Sequence, residues 1–223
     1  MFLGHFAAGL AAKQVAPRTS LATLFAAAQL VDLVWPVLVM LGVEWLRIDP
    51  GNTAFTPLDF VHYPWTHSLL MVVLWGALFG LLYRARTGYQ RGASAVAALV
   101  VSHWVLDLVS HRPDLPLAPG LSTKVGLGLW NSVPATMLVE VALLAAGLAV
   151  YLSSTRARNW RGSLPLWALV AVLLLIYAWN LGQVPPGPIA VASSALGMWL
   201  FVLWAWWFDR NRAPRAEPAP APA

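Results

Sequence analysis

The sequence predicts an all-α fold, a polytopic transmembrane helical bundle, and three observations lead to this prediction. Of the 223 residues, 59% are hydrophobic and only 10% are charged, whereas soluble domains carry about 25% charged residues. The mean hydropathy is +0.67. Apolar stretches near the roughly 20 residues that a helix needs to cross a bilayer recur along the chain, with polar or basic connections between them.

We expect six membrane spans preceded by a short N-terminal apolar helix. That helix covers residues 1–12 and contains His5; it is a seventh span if it crosses the membrane and a re-entrant helix if it does not. The six spans are residues 21–43, 65–83, 93–110, 134–152, 164–181 and 189–208. Pro36 falls inside the first span, where proline weakens the helix and favours a bend.

The connections 44–64 and 112–133 are polar and rich in turn residues, so we expect loops there. From residue 210 the chain is rich in alanine and proline, a composition that favours disorder. The predicted organisation is a transmembrane domain, 1–209, and a disordered cytoplasmic tail, 210–223.

Basic residues predict the orientation of the bundle. Eleven of the 14 Lys and Arg residues fall in alternate connections and in the tail, which the positive-inside rule places in the cytoplasm. This distribution also accounts for the pI near 10.1 and argues against nucleic-acid binding. Because the chain has no cysteine, disulfides and zinc–thiolate sites are excluded.

One span carries a polar stripe. His103, Asp107 and His111 are spaced four residues apart, so a helix would place them on one face. A carboxylate inside a membrane is costly and is kept where it is paired or functional. Two imidazoles and a carboxylate suit a divalent cation, although helix capping or a structural hydrogen-bond network would use the same residues.

The other ionisable residues inside the membrane fall at a similar depth. Counted at about 1.5 Å per residue, they lie in the outer half of the bilayer, which favours a single metal site. We expect the metal ligands to be His5, Asp32, His67, His103 and Asp107. We expect the catalytic residues to be Asp107 and Glu140, the latter as a proton-shuttling base or as an acceptor for a histidine N–H.

Several polar residues outside this set have simpler explanations. His62 and His111 lie at the membrane edge, where solvated histidines are expected. Asp59 and Asp114 are expected to cap loops. Three residues of the second long connection could bind an anion or simply be solvated: Arg112, Lys124 and Asn131.

The order of the motifs resembles a known family. His5, Asp32, Thr66-His67-Ser68 and His103-x-x-x-Asp107 follow one another as in the bacterial inner-membrane metal-dependent hydrolases, the group once described as LexA-binding. The resemblance covers about the first 140 residues. More distantly, the order is similar to that of the zinc-dependent phospholipase C and single-strand nuclease group.

The resemblance implies that Asp32, His67, His103 and Asp107 hold one metal ion and that Asp107 bridges to a second ion near His5. Since the chain lacks a clear second His-x-x-x-Asp/Glu pair, we expect one or two zinc or other divalent ions.

These features predict a membrane-embedded hydrolase, a phosphoesterase that acts on a lipid or other amphiphile through a metal-activated water. The main alternative is an ion- or proton-coupled transporter that uses Asp32, Asp107 and Glu140 as a relay. It would need polar groups that continue to the cytoplasmic side. Haem held by His67 and His103 is a further alternative, but haem has no use for two nearby aspartates. A purely structural membrane protein is the background hypothesis.

Overall fold

The computed structural model describes residues 1–215, and most of these are helical. The helices are α1 (Leu3–Val15), α2 (Leu21–Ala28), α3 (Leu30–Met40), α4 (Pro64–His67), α5 (Leu69–Thr87), α6 (Gln90–Ser110), α7 (Val133–Ser154), α8 (Leu164–Asn180), α9 (Pro188–Ala195) and α10 (Met198–Asp209). Six short strands form three antiparallel pairs: β1 (Trp45–Ile48) with β2 (Leu58–His62), β3 (Leu115–Pro116) with β4 (Lys124–Val125), and β5 (Thr155–Ala157) with β6 (Arg212–Pro214).

Among residues 1–215, five segments are long and apolar enough to cross a membrane. They are α5, α6, α7, the stretch Trp160–Asn180 that contains α8, and Pro188–Asp209, which comprises α9 and α10. The pair α2 and α3 passes the same test as one unit but is bent by 54°. The predicted all-α polytopic bundle is therefore confirmed, with six spans when the bent pair counts as one.

The bend in this pair does not lie at Pro36, where we expected it. The break falls at Gln29, whose backbone leaves the helical region with φ −106° and ψ 6°. Pro36 continues within α3. The change of direction therefore comes three residues before Asp32 and sets where its carboxylate lies.

The N-terminal helix α1 is an interior helix. Its 13 residues span about 20 Å at 1.5 Å per residue, less than the roughly 30 Å of bilayer hydrocarbon. It packs on α7, α2 and α6, and most of its side chains are buried. The backbone of Ala7 lies where a Cβ on Gly147 would be, so the absent side chain lets α1 and α7 approach closely. This packing places His5 inside the bundle.

The connection 44–64, expected to be a loop, contains the β1–β2 hairpin and the short helix α4. In the hairpin, Arg47 pairs with Asp59 across the strands, and Leu46 is buried. Helix α4 ends at His67, and Ser68 starts α5 by accepting a hydrogen bond from the N–H of Met71. We call this the hairpin end of the bundle.

The opposite end, here called the basic end, is held by buried polar contacts. Asp209 accepts hydrogen bonds from Lys13 Nζ (2.8 Å), the Tyr151 hydroxyl (2.8 Å) and the Leu21 N–H (2.9 Å). These bonds join α1, α2, α7 and α10, and they satisfy charges that would be costly to bury unpaired.

Part of the predicted disordered tail is structured. Residues 212–214 form β6, which pairs with β5, and the buried Arg212 donates to Thr155 Oγ1 at 3.0 Å. The composition of the tail does not predict these hydrogen bonds, because the acceptors of Arg212 lie some 50 residues earlier in the chain. The remainder of the predicted tail, residues 216–223, lies outside the described part of the chain.

Candidate metal centre

Helix α6 supplies the first two residues of the centre. His103 and Asp107 are one turn apart, and their Nε2 and Oδ2 atoms lie 3.2 Å apart. Both side chains are buried. The other ring nitrogen, His103 Nδ1, lies 2.7 Å from the backbone carbonyl oxygen of Ala28. Since a carbonyl can only accept, Nδ1 carries a proton, and Nε2 is the nitrogen that faces the carboxylates.

The break between α2 and α3 brings Asp32 to the same place. Asp32 lies on the first turn of α3, and its carboxylate is 3.6 Å from His103 Nε2 and 3.2 Å from His67 Nε2. Its side chain is 28% exposed, whereas those of His103 and His67 are nearly inaccessible. The centre is therefore open on the side of Asp32.

His67 is held by a chain of hydrogen bonds that begins at Glu44. The carboxylate of Glu44 accepts bonds from the N–H groups of Trp65 (2.8 Å) and Thr66 (2.9 Å) and from the Thr66 hydroxyl (2.7 Å). The Thr66 oxygen in turn lies 2.7 Å from His67 Nδ1. Because the hydroxyl proton is donated to Glu44, this oxygen accepts from Nδ1–H, and His67 Nε2 is left to face Asp32.

His5 enters from α1. Its Nε2 lies 3.1 Å from Asp107 Oδ1, and its ring stacks on that of His103. The Met1 nitrogen also contacts Asp107. Glu140 of α7 accepts bonds from the backbone N–H groups of Leu3 and Gly4 at the start of α1. Since the first N–H groups of a helix have no partner within it, Glu140 acts as a cap and fixes the turn that carries His5.

The five expected ligands form two overlapping groups. One is His5, His103 and Asp107, and the other is Asp32, His67 and His103; in each group the ligand atoms lie within 4.8 Å of one another. The closest nitrogen–oxygen separations, 3.1–3.6 Å, match the roughly 3.4 Å between ligands of a tetrahedral ion with bonds of about 2.1 Å.

An unsatisfied atom points to a cation at this place. Among residues 1–215, His103 Nε2, which faces both aspartates, is one of the buried atoms without a hydrogen-bond partner. A neutral imidazole nitrogen at these distances repels the carboxylates that it faces unless a proton or a metal ion lies between them. Imidazole nitrogens with carboxylate oxygens form a donor set that suits zinc and similar divalent ions. The residues therefore fit a metal ion.

His111 does not join the stripe predicted for it. The helix ends at Ser110, and the backbone of His111 is extended, with φ −67° and ψ 148°. Its side chain turns to Asp114, with Nδ1 at 2.9 Å from Oδ1. It is buried, so the expectation of a solvated histidine was wrong. His62, partly exposed, stacks on Trp45 away from the centre.

Asp59 and Asp114 make side-chain contacts that the loop-cap interpretation did not include. Asp59 pairs with Arg47 and Arg112. Asp114 accepts from the Tyr63 hydroxyl at 3.1 Å. Burial first, and then the charge of Asp114, raise the pKa of the Tyr63 hydroxyl well above its usual value, so it remains a donor. The Tyr63 ring lies 5.2 Å from that of His67 and forms a wall beside the centre.

Glu44 is the residue that inspection of the sequence missed. It follows an apolar stretch in a polar connection, where exposed acids are common. Its partners, Thr66 and the N–H groups of α4, lie more than 20 residues further on. The Thr66-His67 pair was the available signal, because a hydroxyl next to a ligand histidine needs an acceptor of its own.

Comparison with known proteins identifies a family. The model of a family described as YdjM inner membrane protein matches residues 1–185. All five candidate ligands lie within the matched region, whereas α9 and α10 follow it. No curated protein matches the chain, and no solved structure does.

Proposed function

The chain belongs to the YdjM inner membrane protein family, and we propose that this member of the family is a membrane-embedded, metal-dependent hydrolase. One observation carries the proposal. Side chains from α1, α3, α4 and α6 converge on a buried place where their ligand atoms form two overlapping groups. Buried imidazoles and carboxylates inside a membrane protein are costly and are kept where they are paired or serve a function.

The donor set supports one or two divalent ions, with zinc favoured because imidazole and carboxylate ligands suit it. When bound, such an ion would lower the pKa of a coordinated water toward neutrality and offset negative charge that develops on a phosphoryl oxygen. The ligands would be His5, Asp32, His67, His103 and Asp107, the last of which faces imidazoles with both of its oxygens.

Other roles are assigned to side chains in and around the centre. Asp32 is the most exposed of the five ligands, so we assign the substrate entrance to its side of the centre. Thr66 and Glu44 orient His67. Glu140, which we expected to be catalytic, is proposed to be a positioning residue, because it caps α1 and thereby holds His5.

An amphiphilic substrate is supported by the surroundings of Asp32. Helix α3 also exposes large apolar side chains, among them Val37 and Met40. A molecule that approached Asp32 along α3 would therefore meet both an apolar surface and the polar centre. The phosphoester bond rests on the resemblance to phospholipase C and on the chemistry of divalent ions.

We further propose that the basic end faces the cytoplasm. The segments that end or begin there carry Arg84 and Arg86 after the apolar part of α5, and Arg156 and Arg158 after α7. The positive-inside rule then places the end of the chain in the cytoplasm and the metal centre in the outer half of the membrane.

Elemental analysis of the purified protein tests the metal centre. We expect near-stoichiometric zinc or another divalent ion in the wild type, and its loss in His103→Ala and Asp107→Asn. His62→Ala removes a histidine outside the centre and should keep the metal. Negligible metal in the wild type, or equal metal in all variants, would refute the proposal.

Hydrolysis is tested separately with phosphomonoesters, phosphodiesters and phospholipids in detergent micelles. We expect at least one class to be cleaved, with activity lost on chelation and in Asp107→Asn. If the protein binds metal and cleaves none of them, while proteoliposomes show ion uptake that Asp32→Asn abolishes, the transporter alternative is correct.

A further inference from the structure

A second polar feature lies at the hairpin end, outside the metal centre. It is a cavity of about 400 Å³. Three of its lining residues are cations that come from three separate elements: Arg47 from β1, Arg112 from the segment after α6, and Lys124 from β4. The metal centre uses none of these three residues, of which Arg112 and Lys124 were already considered as anion ligands from the sequence.

Buried carboxylates hold the two guanidinium groups in place. Asp59, which is buried, accepts from Arg47 Nε at 2.9 Å, from Arg47 Nη2 and from Arg112 Nη2. Arg112 Nε also donates to Asp114 Oδ2 at 3.3 Å. The arginines are therefore arranged before any ligand arrives, and less conformational entropy would be lost on binding.

The remaining hydrogen-bonding capacity of the cavity is almost entirely that of donors. A guanidinium has more N–H groups than the two that Arg47 and Arg112 each spend on these bonds. Lys124 Nζ makes one bond, to the Val61 carbonyl at 3.3 Å, and keeps further donors. In contrast, the oxygens of Asp59 and Asp114 already accept from arginine, tyrosine or histidine.

We propose that this cavity binds a phosphate group. Two fixed guanidinium groups and an ammonium group offer charge-assisted hydrogen bonds to several oxygens of one tetrahedral anion, and arginine is well suited to this recognition. The phosphate could belong to a lipid headgroup or to a soluble molecule, since the recognising chemistry is the same.

The further assignment of this cavity to the substrate site rests on the proposed function. Tyr63 and His111 separate the cavity from His67: Tyr63 contacts His67, and both residues bond to Asp114 in the cavity wall. For one amphiphile to occupy the cavity and the metal centre together, its chain would have to pass around these two residues and enter on the side of Asp32. Phosphate binding itself does not require the metal.

The test compares binding in the full-length protein purified in detergent. Dioleoyl phosphatidic acid is titrated and followed by native mass spectrometry, with dioleoylglycerol as the lipid that lacks the phosphate. Inorganic phosphate is titrated separately by calorimetry. The variants are Lys124→Gln and Arg47→Gln, whose side chains are exposed, and the control is Arg158→Gln at the basic end. Thermal unfolding in detergent is measured for every variant to confirm that it has folded.

We expect at least one of the two probes, phosphatidic acid or inorganic phosphate, to bind the wild type and Arg158→Gln with equal affinity. Each cavity variant should bind that probe about tenfold more weakly, as expected for the loss of one charge-assisted bond.

The probe that binds identifies the source of the phosphate. Binding of phosphatidic acid alone would identify a lipid headgroup, binding of inorganic phosphate alone would identify a soluble molecule, and binding of both would show a site that recognises phosphate on either carrier. Absence of both, equal binding of dioleoylglycerol, or equal affinity in Lys124→Gln, Arg47→Gln and the control would overturn the proposal. None of these outcomes depends on whether the protein hydrolyses any substrate.

Discussion

The imidazole rings of His5 and His103 lie parallel, with 6° between their planes and 3.6 Å between their centroids. Both rings face the carboxylate of Asp107, one towards each oxygen. Two positively charged rings stacked in this way would repel each other, so at least one is neutral. Neutral imidazole is also the form that binds a metal ion, and several predictions about metal binding come from this pair and its neighbours.

Because His103 belongs to both groups of ligands and His5 to only one, the two histidines should differ in effect. We expect His103→Ala to remove nearly all bound metal and His5→Ala to leave the ion held by Asp32 and His67. Metal content per protein, measured on samples purified in parallel, checks this. Equal loss in both variants would show that the two groups do not act as separate sites.

Thr66 should control metal affinity without touching the metal. In Thr66→Val, His67 Nδ1 loses its acceptor, and the loss of such a partner typically weakens metal binding by about 10- to 100-fold. Thr66→Ser keeps the hydroxyl and should retain wild-type affinity. Competition with a chromogenic chelator measures both values. Similar affinities for the valine and serine variants would mean that the bond between Thr66 and His67 does not orient the imidazole.

Two variants of Glu140 distinguish a positioning role of this residue from a catalytic role. In Glu140→Gln the side-chain carbonyl can still accept from the N–H groups of Leu3 and Gly4, so stability and metal content should change little. In Glu140→Leu these buried donors lose their acceptor, at about 1–3 kcal/mol for each unsatisfied group. Thermal unfolding in detergent together with metal analysis measures the difference. A Glu140→Gln protein that is stable and metal-loaded but inactive in hydrolysis would restore the catalytic assignment.

The orientation can be tested because the chain contains no cysteine. A single cysteine at the exposed position 121 should react with a membrane-impermeant maleimide in cells whose outer membrane has been permeabilised. A cysteine introduced at the exposed position 158 should react only after the inner membrane is disrupted. The reverse pattern would place the metal centre in the cytoplasmic half.

Periodicity and order predicted much of the centre. The spacing of His103 and Asp107 sufficed, since positions four apart on a helix share a face whatever surrounds them. Asp32 and His67 could be predicted as further ligands because few ionisable residues fall inside the spans. Those that do lie at a similar depth, which left few candidates for the ligand set. The same spacing failed for His111, because the helix ends one residue earlier, and helix ends are poorly defined by apolar patterns.

The supporting residues could not be predicted in the same way. The β1–β2 hairpin determines which acid of the connection 44–64 comes close to Thr66 and His67. The two strands pair across several turn residues, so their sequence does not predict this approach. The bend at Gln29 lies beside another such contact, in which His103 of a distant helix donates to the Ala28 carbonyl. Such long-range contacts leave no periodic pattern in the sequence.

The interior position of α1 has a consequence for biosynthesis. The helix precedes α6 and α7, two of the partners that enclose it, by about 75 to 120 residues, so these partners emerge from the ribosome much later. Because it is too short to cross the bilayer alone, it can reach its interior position only when these partners are present. All five ligands have been synthesised by residue 107, but His5 is held in place only once α7, which ends at Ser154, has packed on α1. A chain truncated before that point would therefore lack a finished metal centre.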